Sequence, residues 1–600
     1  MEEKFVSQRN LEFLLHEVLG AEELTRLDHY RDHDRESLDM MLGTALRMSE
    51  EMLRPAFRQM DQNPPSLVDG QVRVHPLAGQ FLRDSGQGGW IAATFPQDAG
   101  GLQLPIMVDT ACQFVFMAAN LAAAAFPGLT KGAAHLILTH GGEEIRQAYL
   151  PQMIAGHWQG TMALTEPGAG SSLSDVLASA EPTGQGYHLI SGQKIFISAG
   201  DHDGAENVVH LMLARIKGAP AGVKGISLFV VPKLRPENGA LAPNDLNTAG
   251  LFHKLGYRGC PIVHLSMGEA GDCRGWLVGQ PNQGLGYMFQ MMNEARISVG
   301  LQAAAVASAA YYSSLKYAKE RPQGRPVEAK DPHQPPVPII QHADVKRLLL
   351  FQRSVVEGAL SLLLQASRYA DLAEHGQGQQ RERAELLLGL LTPVVKSYPA
   401  EMGIASTSAG LQVLGGYGYT DEFPAEQYFR DMRIHAIHEG TTGIQAMDLL
   451  GRKVGMHGGK AMEDFAQEVG VDIQDAAGHP KLAPYAARQK DALDLLCQAT
   501  VAKLGLAQKG RVAVFLADAT LYLELFGLVA VAWQWLKQGA VAARALERGP
   551  GQAQADFYQG KLVTMRYFFH YELPKAKGLA ARLSEEDGLT VSLPEEFFND

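Results

Sequence analysis

Apolar residues recur three and four positions apart in "LEFLLHEVL", "LDMMLGTALRMSEEML" and "AAHLILTHGGEEIRQAYLPQMI", the spacing of helices that bury one face. Residues 1–160 therefore read as a mainly helical N-terminal domain. From 161 to 282 the texture changes to short extended runs, "YHLISGQKIFIS", "NVVHLMLARI" and "GISLFVVPK", separated by Gly, Pro, Asn and Asp clusters, which predicts a compact β domain. Helical spacing returns with a long pattern from Tyr287 to Arg321. At about 1.5 Å per residue it would span roughly 50 Å, a length suited to a helical bundle. "RPQGRPVEAKDPHQPPVP" interrupts it with six prolines, a surface loop. The pattern resumes in "ADVKRLLLFQRSVVEGALSLLLQASRYA" and "AELLLGLLTPVVKSYPAEMGIAST", so residues 283–455 read as a bundle. Beyond a junction at "VGMHGGKAMED", residues 456–600 carry "LDLLCQATVAKLGLAQKG" and "LYLELFGLVAVAWQWLKQGAVAARAL", an additional helical domain.

A chain of 600 residues is long enough for several such domains. Its formal charge of −12 argues against a general nucleic-acid binder, whose affinity rests on clustered Lys and Arg. Cys112, Cys260, Cys273 and Cys497 stand far apart without a CxxC pair, so neither a disulfide framework nor a thiolate metal site is expected, and a reducing cytoplasm fits. The opening "MEEKFVSQRN" lacks the apolar core of a signal peptide. One stretch, "TACQFVFMAANLAAAAFPGL", mimics a membrane span, but Gln113, Asn120 and Pro127 interrupt it and a buried helix is the better reading.

Two stretches carry candidate chemistry. In "MALTEPGAGSS" (162–172), small residues after Pro167 leave the backbone open to a ligand, and Thr165 and Ser171 supply hydroxyls; an ordinary surface turn has the same composition. In "GLQVLGGYGYTDEFPAEQYFRDMRIHAIHEGTTGIQ" (410–445), the glycines lack the GxGxxG spacing and preceding strand of a Rossmann phosphate loop. Thr442 stands where a zinc hydrolase would need its second histidine, so His435 and His438 read as packing or hydrogen-bonding residues and no metal site is expected. Glu439, set against a Gly-Thr loop, is the candidate base. Without its neighbours it would read as a helix N-terminal carboxylate, worth about 0.3 to 1 kcal/mol through the helix dipole.

Together these motifs resemble the acyl-CoA dehydrogenase family. The first hallmark reads Ala-Leu-Thr-Glu-Pro-Gly-Ala-Gly-Ser at 163–171; the second reads Gln412, Gly415, Gly416, Gly418 and Tyr419, followed by Glu422 and Asp431. "KIFIS", "KLGYRG", "NEARISVG" and Arg321 follow in the family's order. The resemblance implies a mainly α fold with a central β-barrel, placed between a helical domain and a four-helix bundle. The extra C-terminal helical domain resembles the extended branch that includes 3-methylmercaptopropionyl-CoA dehydrogenases and some fatty acyl-CoA dehydrogenases.

By that resemblance the cofactor is FAD and the substrate an acyl-CoA thioester. Glu439 matches the base. Met162, Leu164, Thr165, Gly170 and Ser171 match the loop lining the flavin, with Phe196 and Ser198 on its other side. Arg321, Gln412, Gly415 and Gly416 match contacts to the cofactor of a neighbouring subunit, implying a homodimer, and Thr441 and Gly443 follow the base at flavin-contacting positions. Ser171 and Gly440 match substrate contacts, and Asn293 and Arg296 match the start of the helix that holds the CoA part.

The sequence also departs from the family pattern: Ser172 stands for a common Asp, Phe196 for Trp, Gln427 for a basic residue, Gly443 for Gln, His438 for Tyr and His342 for Gln. The chemistry wants a cofactor to take a hydride no side chain can accept, and a carboxylate whose pKa burial has raised from about 4.3 towards neutrality. An electron-transferring flavoprotein is the implied acceptor. Three other readings stand beside this one: an acyl-CoA oxidase reducing O2; a DNA-associated flavoprotein of the alkylation-response type, whose C-terminal domain should carry a basic stripe that residues 456–600 do not show; and a flavin scaffold serving only as an interaction module.

Overall fold

The computed structural model describes residues 4–237, 239–328, 331 and 333–599, leaving aside the side chains of 289–293. The chain divides into two compact units, residues 40–105 with 115–295, and residues 1–39 with 106–114 and 296–600.

The first unit is built on strands. A small hairpin, β1 (Ser66–Val68) and β2 (Gln71–Arg73), precedes β3 (Trp158–Ala163), β4 (Ser179–Pro182), β5 (His188–Ser198), β6 (Asn207–Ile216) and β7 (Ile226–Pro232). A second hairpin, β8 (Leu234–Glu237) and β9 (Ala240–Pro243), leads to β10 (Leu246–Leu251), β11 (Ile262–Met267) and β12 (Arg274–Val278).

β5 pairs with β12, β12 with β7, β7 with β6, β6 with β4 and β4 with β5 again, so five strands close a barrel. β3 adds to it in parallel along β6, and β11 with β10 adds along the second half of β5. Successive side chains of a strand point to opposite faces, and the burial follows that parity. Val209, Leu211 and Leu213 of β6 join Leu228 and Val230 of β7 in a cluster with the helical residues Ala133, Ile137, Tyr149 and Met153. Met212, Ala214, Phe229 and Val231 instead meet Ala180, Ile190 and Cys273 on the other face. With both faces buried, β6 reads as a near-continuous apolar run rather than an alternation.

In the second unit the helices Ala343–His375 and Gly378–Leu414 lie beside the long helix Gly284–Glu320, which begins three residues earlier than its pattern suggested and continues from the first unit. The C-terminal domain is centred on Ala519–Glu547, which is buried on almost every side, as expected of a helix with no polar face. Its Trp535 Nε1 donates to Ser354 O at 3.0 Å and its Gln534 Oε1 accepts from Ser361 at 2.8 Å, joining it to the bundle. On the other side Trp533 Nε1 donates to Asp472 at 2.6 Å.

Sequence and structure differ in three places. The run from Ala133 to Ile154 is two helices, because Gly141 and Gly142 adopt extended backbone between them. β3 begins at Trp158, before the texture turns to strands. Asn120 leaves helical geometry (φ −160°, ψ 94°) within Ile106–His140, the helix that mimics a membrane span. That helix, Ala343–His375 and Ala519–Glu547 are long and apolar enough to cross a membrane, and their apolar windows are 83, 78 and 83% buried in the fold.

Candidate active site

The turn that carries Glu439 joins the 3₁₀ segment Arg433–Ala436 to the short helix Thr442–Asp448, whose first turn Thr441 caps by accepting from Ile444 N at 3.3 Å. Between them Glu439 has φ +54° and Gly440 φ +85°. Gly440 is required there on two counts: its backbone is left-handed, and a Cβ would come within 2.7 Å of Gln445 Nε2. Glu439 has a Cβ and is nevertheless held in the left-handed region, a strain that persists only where the surroundings impose it. Gln445, fully buried, donates to Glu439 O at 2.9 Å.

Among the described residues, no hydrogen bond or ion pair holds the Glu439 carboxylate, and its backbone N–H donates to no carbonyl. Burial raises the pKa of that carboxyl above the usual value; the opposing pulls of Arg296 and Lys396 are smaller. Arg296 is itself paired with Asp448 at 2.9 Å, and Arg452 joins the same carboxylate at 2.7 Å. Lys396, buried in the helix Gly378–Leu414, donates to His435 O at 2.7 Å and Gly440 O at 2.8 Å. His435 Nδ1 and His438 Nε2 lie 3.2 Å apart. Burial pushes both rings far below the usual imidazole value, His438 to about 3, so both are neutral at pH 7. Lys396 and Gln445 were missed in the sequence, where a lysine amid an apolar helical run gives no sign of which carbonyls it will meet.

In the same unit, Gly415 ends the helix Gly378–Leu414 with φ +60°, and it and Gly416 have no neighbouring atom within 4 Å of a Cβ position. Both are exposed, as are Gln412 and Arg321, whose guanidinium lies 6.0 Å from the ring of Tyr417 in that turn. The fold thus gathers Arg321, Gly415 and Gly416 at one place. Gly443 lies in the first turn of the short helix, where a Cβ would meet the capping Thr441 Oγ1 at 3.9 Å, an ordinary contact. His342 Nε2 contacts Gln323 O at 2.7 Å. Arg296 is not at the start of its helix, which begins at Gly284, and its side chain is 5% exposed in the Asp448 pair. The Asn293 side chain lies outside the described residues.

The first unit gathers the other motif. Met162 is on β3, and the chain then turns through Glu166 and Ala169, which exchange backbone hydrogen bonds at 3.0 and 3.1 Å. The turn is anchored by a pair absent from the sequence reading: Glu166 with Lys194 at 2.7 Å, 5% and 0% exposed. Lys194 also donates to Leu164 O at 2.9 Å, and the Glu166 carboxylate accepts from Leu177 N at 2.6 Å and Ala178 N at 3.0 Å. Burial lowers Lys194 to about 8. This scaffold leaves Gly170 and Ser171 exposed and Leu164 and Thr165 half-buried, while Thr165 O accepts from Ile195 N at 2.9 Å. Two residues past Lys194 on β5, Phe196 is 56% exposed with φ +58°, 4.7 Å from Phe252, and Ser198 is half-buried beyond it. Ser172 turns away to Asp175 at 2.7 Å.

The chain matches the acyl-CoA dehydrogenase N-terminal domain over residues 35–157, the middle domain over 161–269 and the C-terminal domain over 282–454. Residues 460–594 match a domain described as acetyl-CoA dehydrogenase C-terminal like. It is 37% identical over 595 residues to the 3-methylmercaptopropionyl-CoA dehydrogenase of Ruegeria pomeroyi, covering 98% of this chain and 99% of that one. It is 32% identical over 603 residues to a butyryl-CoA dehydrogenase of Syntrophomonas wolfei, covering 98% of each. In fold it is similar to the acyl-CoA dehydrogenase of Bacillus anthracis complexed with FAD, with a TM-score of 0.73 at 18% identity over 98% of this chain and 93% of that one. Caenorhabditis elegans ACDH-11 in complex with C11-CoA gives 0.75 at 19% identity over 96% and 93%.

Proposed function

Since the chain belongs to the acyl-CoA dehydrogenase family, FAD-dependent oxidoreductases, we propose that it converts an acyl-CoA to the trans-2-enoyl-CoA with Glu439 as the α-proton base. The observation that carries this reading is the Glu439 carboxylate itself: unpaired among the described residues, raised in pKa by burial, and fixed in a left-handed turn. When bound, FAD supplies the acceptor for two electrons and the β hydrogen.

The residues present fit such a group. Phe196 offers an exposed ring held out from its strand by a left-handed backbone, and Gly170, Gly415 and Gly416 leave main chain that no Cβ would cover. In the first unit Met162, Leu164, Thr165, Gly170, Ser171, Phe196 and Ser198 would line the flavin. In the second, Thr441 and Gly443 stand at flavin-contacting positions, and Arg321, Gln412, Gly415 and Gly416 would contact the cofactor of a neighbouring subunit.

Glu439 takes the α proton, and because burial has raised its affinity for protons, the transfer is less uphill than to an exposed glutamate. The unengaged backbone N–H of Glu439 is a ready donor to the thioester oxygen as negative charge grows there, and a preorganised donor of this kind contributes most where water is excluded. His438, neutral, leaves the charge balance of the base to Arg296 and Lys396.

The 37% identical relative supports a 3-methylmercaptopropionyl group as substrate and the 32% identical one a short straight-chain fatty acyl group, in a reaction of the β-oxidation type. The proposal extends to an electron-transferring flavoprotein as acceptor, to a homodimer, to four domains divided near residues 160, 282 and 455, and to a cytoplasmic location, which Cys112, Cys260, Cys273 and Cys497, none of them joined in a disulfide, favour. Anaerobic bleaching of the bound flavin against a panel of acyl-CoAs tests the reading. Rapid bleaching by one acyl class names the substrate, no bleaching by any removes the reading, and rapid reoxidation by O2 with peroxide release would make the protein an oxidase.

A further inference from the structure

We propose that Lys396 is a positioning residue for Glu439, its ammonium tying together the two ends of the turn that presents the carboxylate and supplying, beside Arg296, part of that carboxylate's counter-charge. The inference rests on the reading of Glu439 as the base.

The two carbonyls that Lys396 binds belong to His435 and Gly440, before and after Glu439, so one buried side chain closes the loop on both sides. Inside that clasp the backbone passes through two successive left-handed residues, the first of them Glu439. A left-handed residue bearing a Cβ is strained, so something must hold it, and the clasp together with Gln445 on Glu439 O does so.

Holding two carbonyls does not require a charge, and burying a cation is costly. The charge therefore needs its own account. Every charged or titratable group facing Glu439 bears on it. Arg296, from the long helix, is the larger of the two positive influences on Glu439, but its guanidinium is held to Asp448, a carboxylate it shares with Arg452. His435 and His438, from the turn itself, are neutral. Glu401, on the same helix as Lys396, accepts from Thr442 and faces the lysine from the exposed side. Lys396 hydrogen-bonds only carbonyls among the described residues. Its positive charge is thus uncommitted to any paired acid, and Glu439 is the largest electrostatic influence upon it after burial. The arrangement lets the base lose its proton while buried without being locked into an ion pair that would block its reach to substrate.

The test uses the flavin-loaded protein with Lys396→Gln, Lys396→Met, Glu439→Gln and the Lys396→Gln/Glu439→Gln pair. In both lysine variants the rising limb of kcat against pH should move up by one unit or more, with flavin content and KM little changed. A uniform loss at every pH, or an unmoved midpoint, overturns the inference. Thermal unfolding gives a second readout independent of turnover. At pH 7, below the value of about 8 to which burial lowers Lys396, Glu439→Gln should raise Tm more in the Lys396→Gln background than in the parent, because the carboxylate there lacks part of its counter-charge, and the difference should vanish at acid pH, where Glu439 is protonated in both. Additive effects at pH 7 overturn it. Loss of bound flavin in both lysine variants would assign Lys396 to the fold as a whole and overturn it too. Turnover retained in Glu439→Gln removes the base assignment instead, whereas an inactive Glu439→Gln beside unshifted lysine variants removes only the role of Lys396.

Discussion

At the scale of the residue, function turns on one carboxyl group whose environment differs from that of an exposed glutamate. Glu439→Gln should keep FAD and lower turnover by about 10²- to 10⁴-fold, the usual worth of a general base, as read by single-turnover bleaching. The direction of the pH dependence follows from the raised pKa. The ionised carboxylate is the active form, so kcat should rise with pH through a midpoint above the ordinary glutamate value of about 4.3 and fall away below it. His438→Phe should leave that midpoint in place, since burial already keeps His438 neutral across the range, its pKa lowered to about 3. A moved midpoint would give His438 a charge it does not carry here. The identity of Glu439 as a candidate was legible in the sequence from the motifs around it. Its left-handed backbone was not, because that depends on Lys396, which lies far back in the chain, and on the direction in which the nearby Gln445 side chain turns, and neither is settled before folding.

At the scale of the element, the loop after β3 depends on β5. The extended run ending in "KIFIS" marked a strand but gave no sign of what Lys194 would meet; the barrel turns it inward to Glu166. Lys194→Met would leave the Glu166 carboxylate buried without its cation, a loss of about 3 to 5 kcal/mol that denaturant unfolding should show, with part of it restored in the Glu166→Gln/Lys194→Met pair. Full stability in the single variant would mean that the backbone donors of Leu177 and Ala178 suffice alone. The long helices were legible because their periodicity runs over many turns. The break at Gly141 and Gly142 was harder to see, since apolar spacing continues on both sides of it.

At the scale of the molecule, the C-terminal domain is joined to the bundle through buried charge as well as apolar packing. Lys561 of the helix Gln552–Tyr567 donates to Glu357 of the bundle at 2.8 Å and to Gln538 at 2.9 Å, and it also binds Asn10 near the N-terminus. Lys561→Met should therefore cost about 3 to 5 kcal/mol in unfolding, by leaving Glu357 buried with Arg353 as its remaining cation. Light scattering of the holoprotein should give twice the 65.0 kDa chain mass, and a fourfold mass would reject the dimer. The amino-acid sequence by itself determined the order of helical and β segments, the family and the candidate base, because periodicity and motif spacing are local properties that any stretch of chain carries with it. Only the tertiary structure decided that five strands close a barrel, that Lys194 and Lys396 are buried and what they hold, and that the Glu439 carboxylate has no partner among the described residues. Each of those depends on residues far apart in sequence sharing one dry neighbourhood, and it is that neighbourhood, not the residue type, that sets the charge and backbone of the group within it.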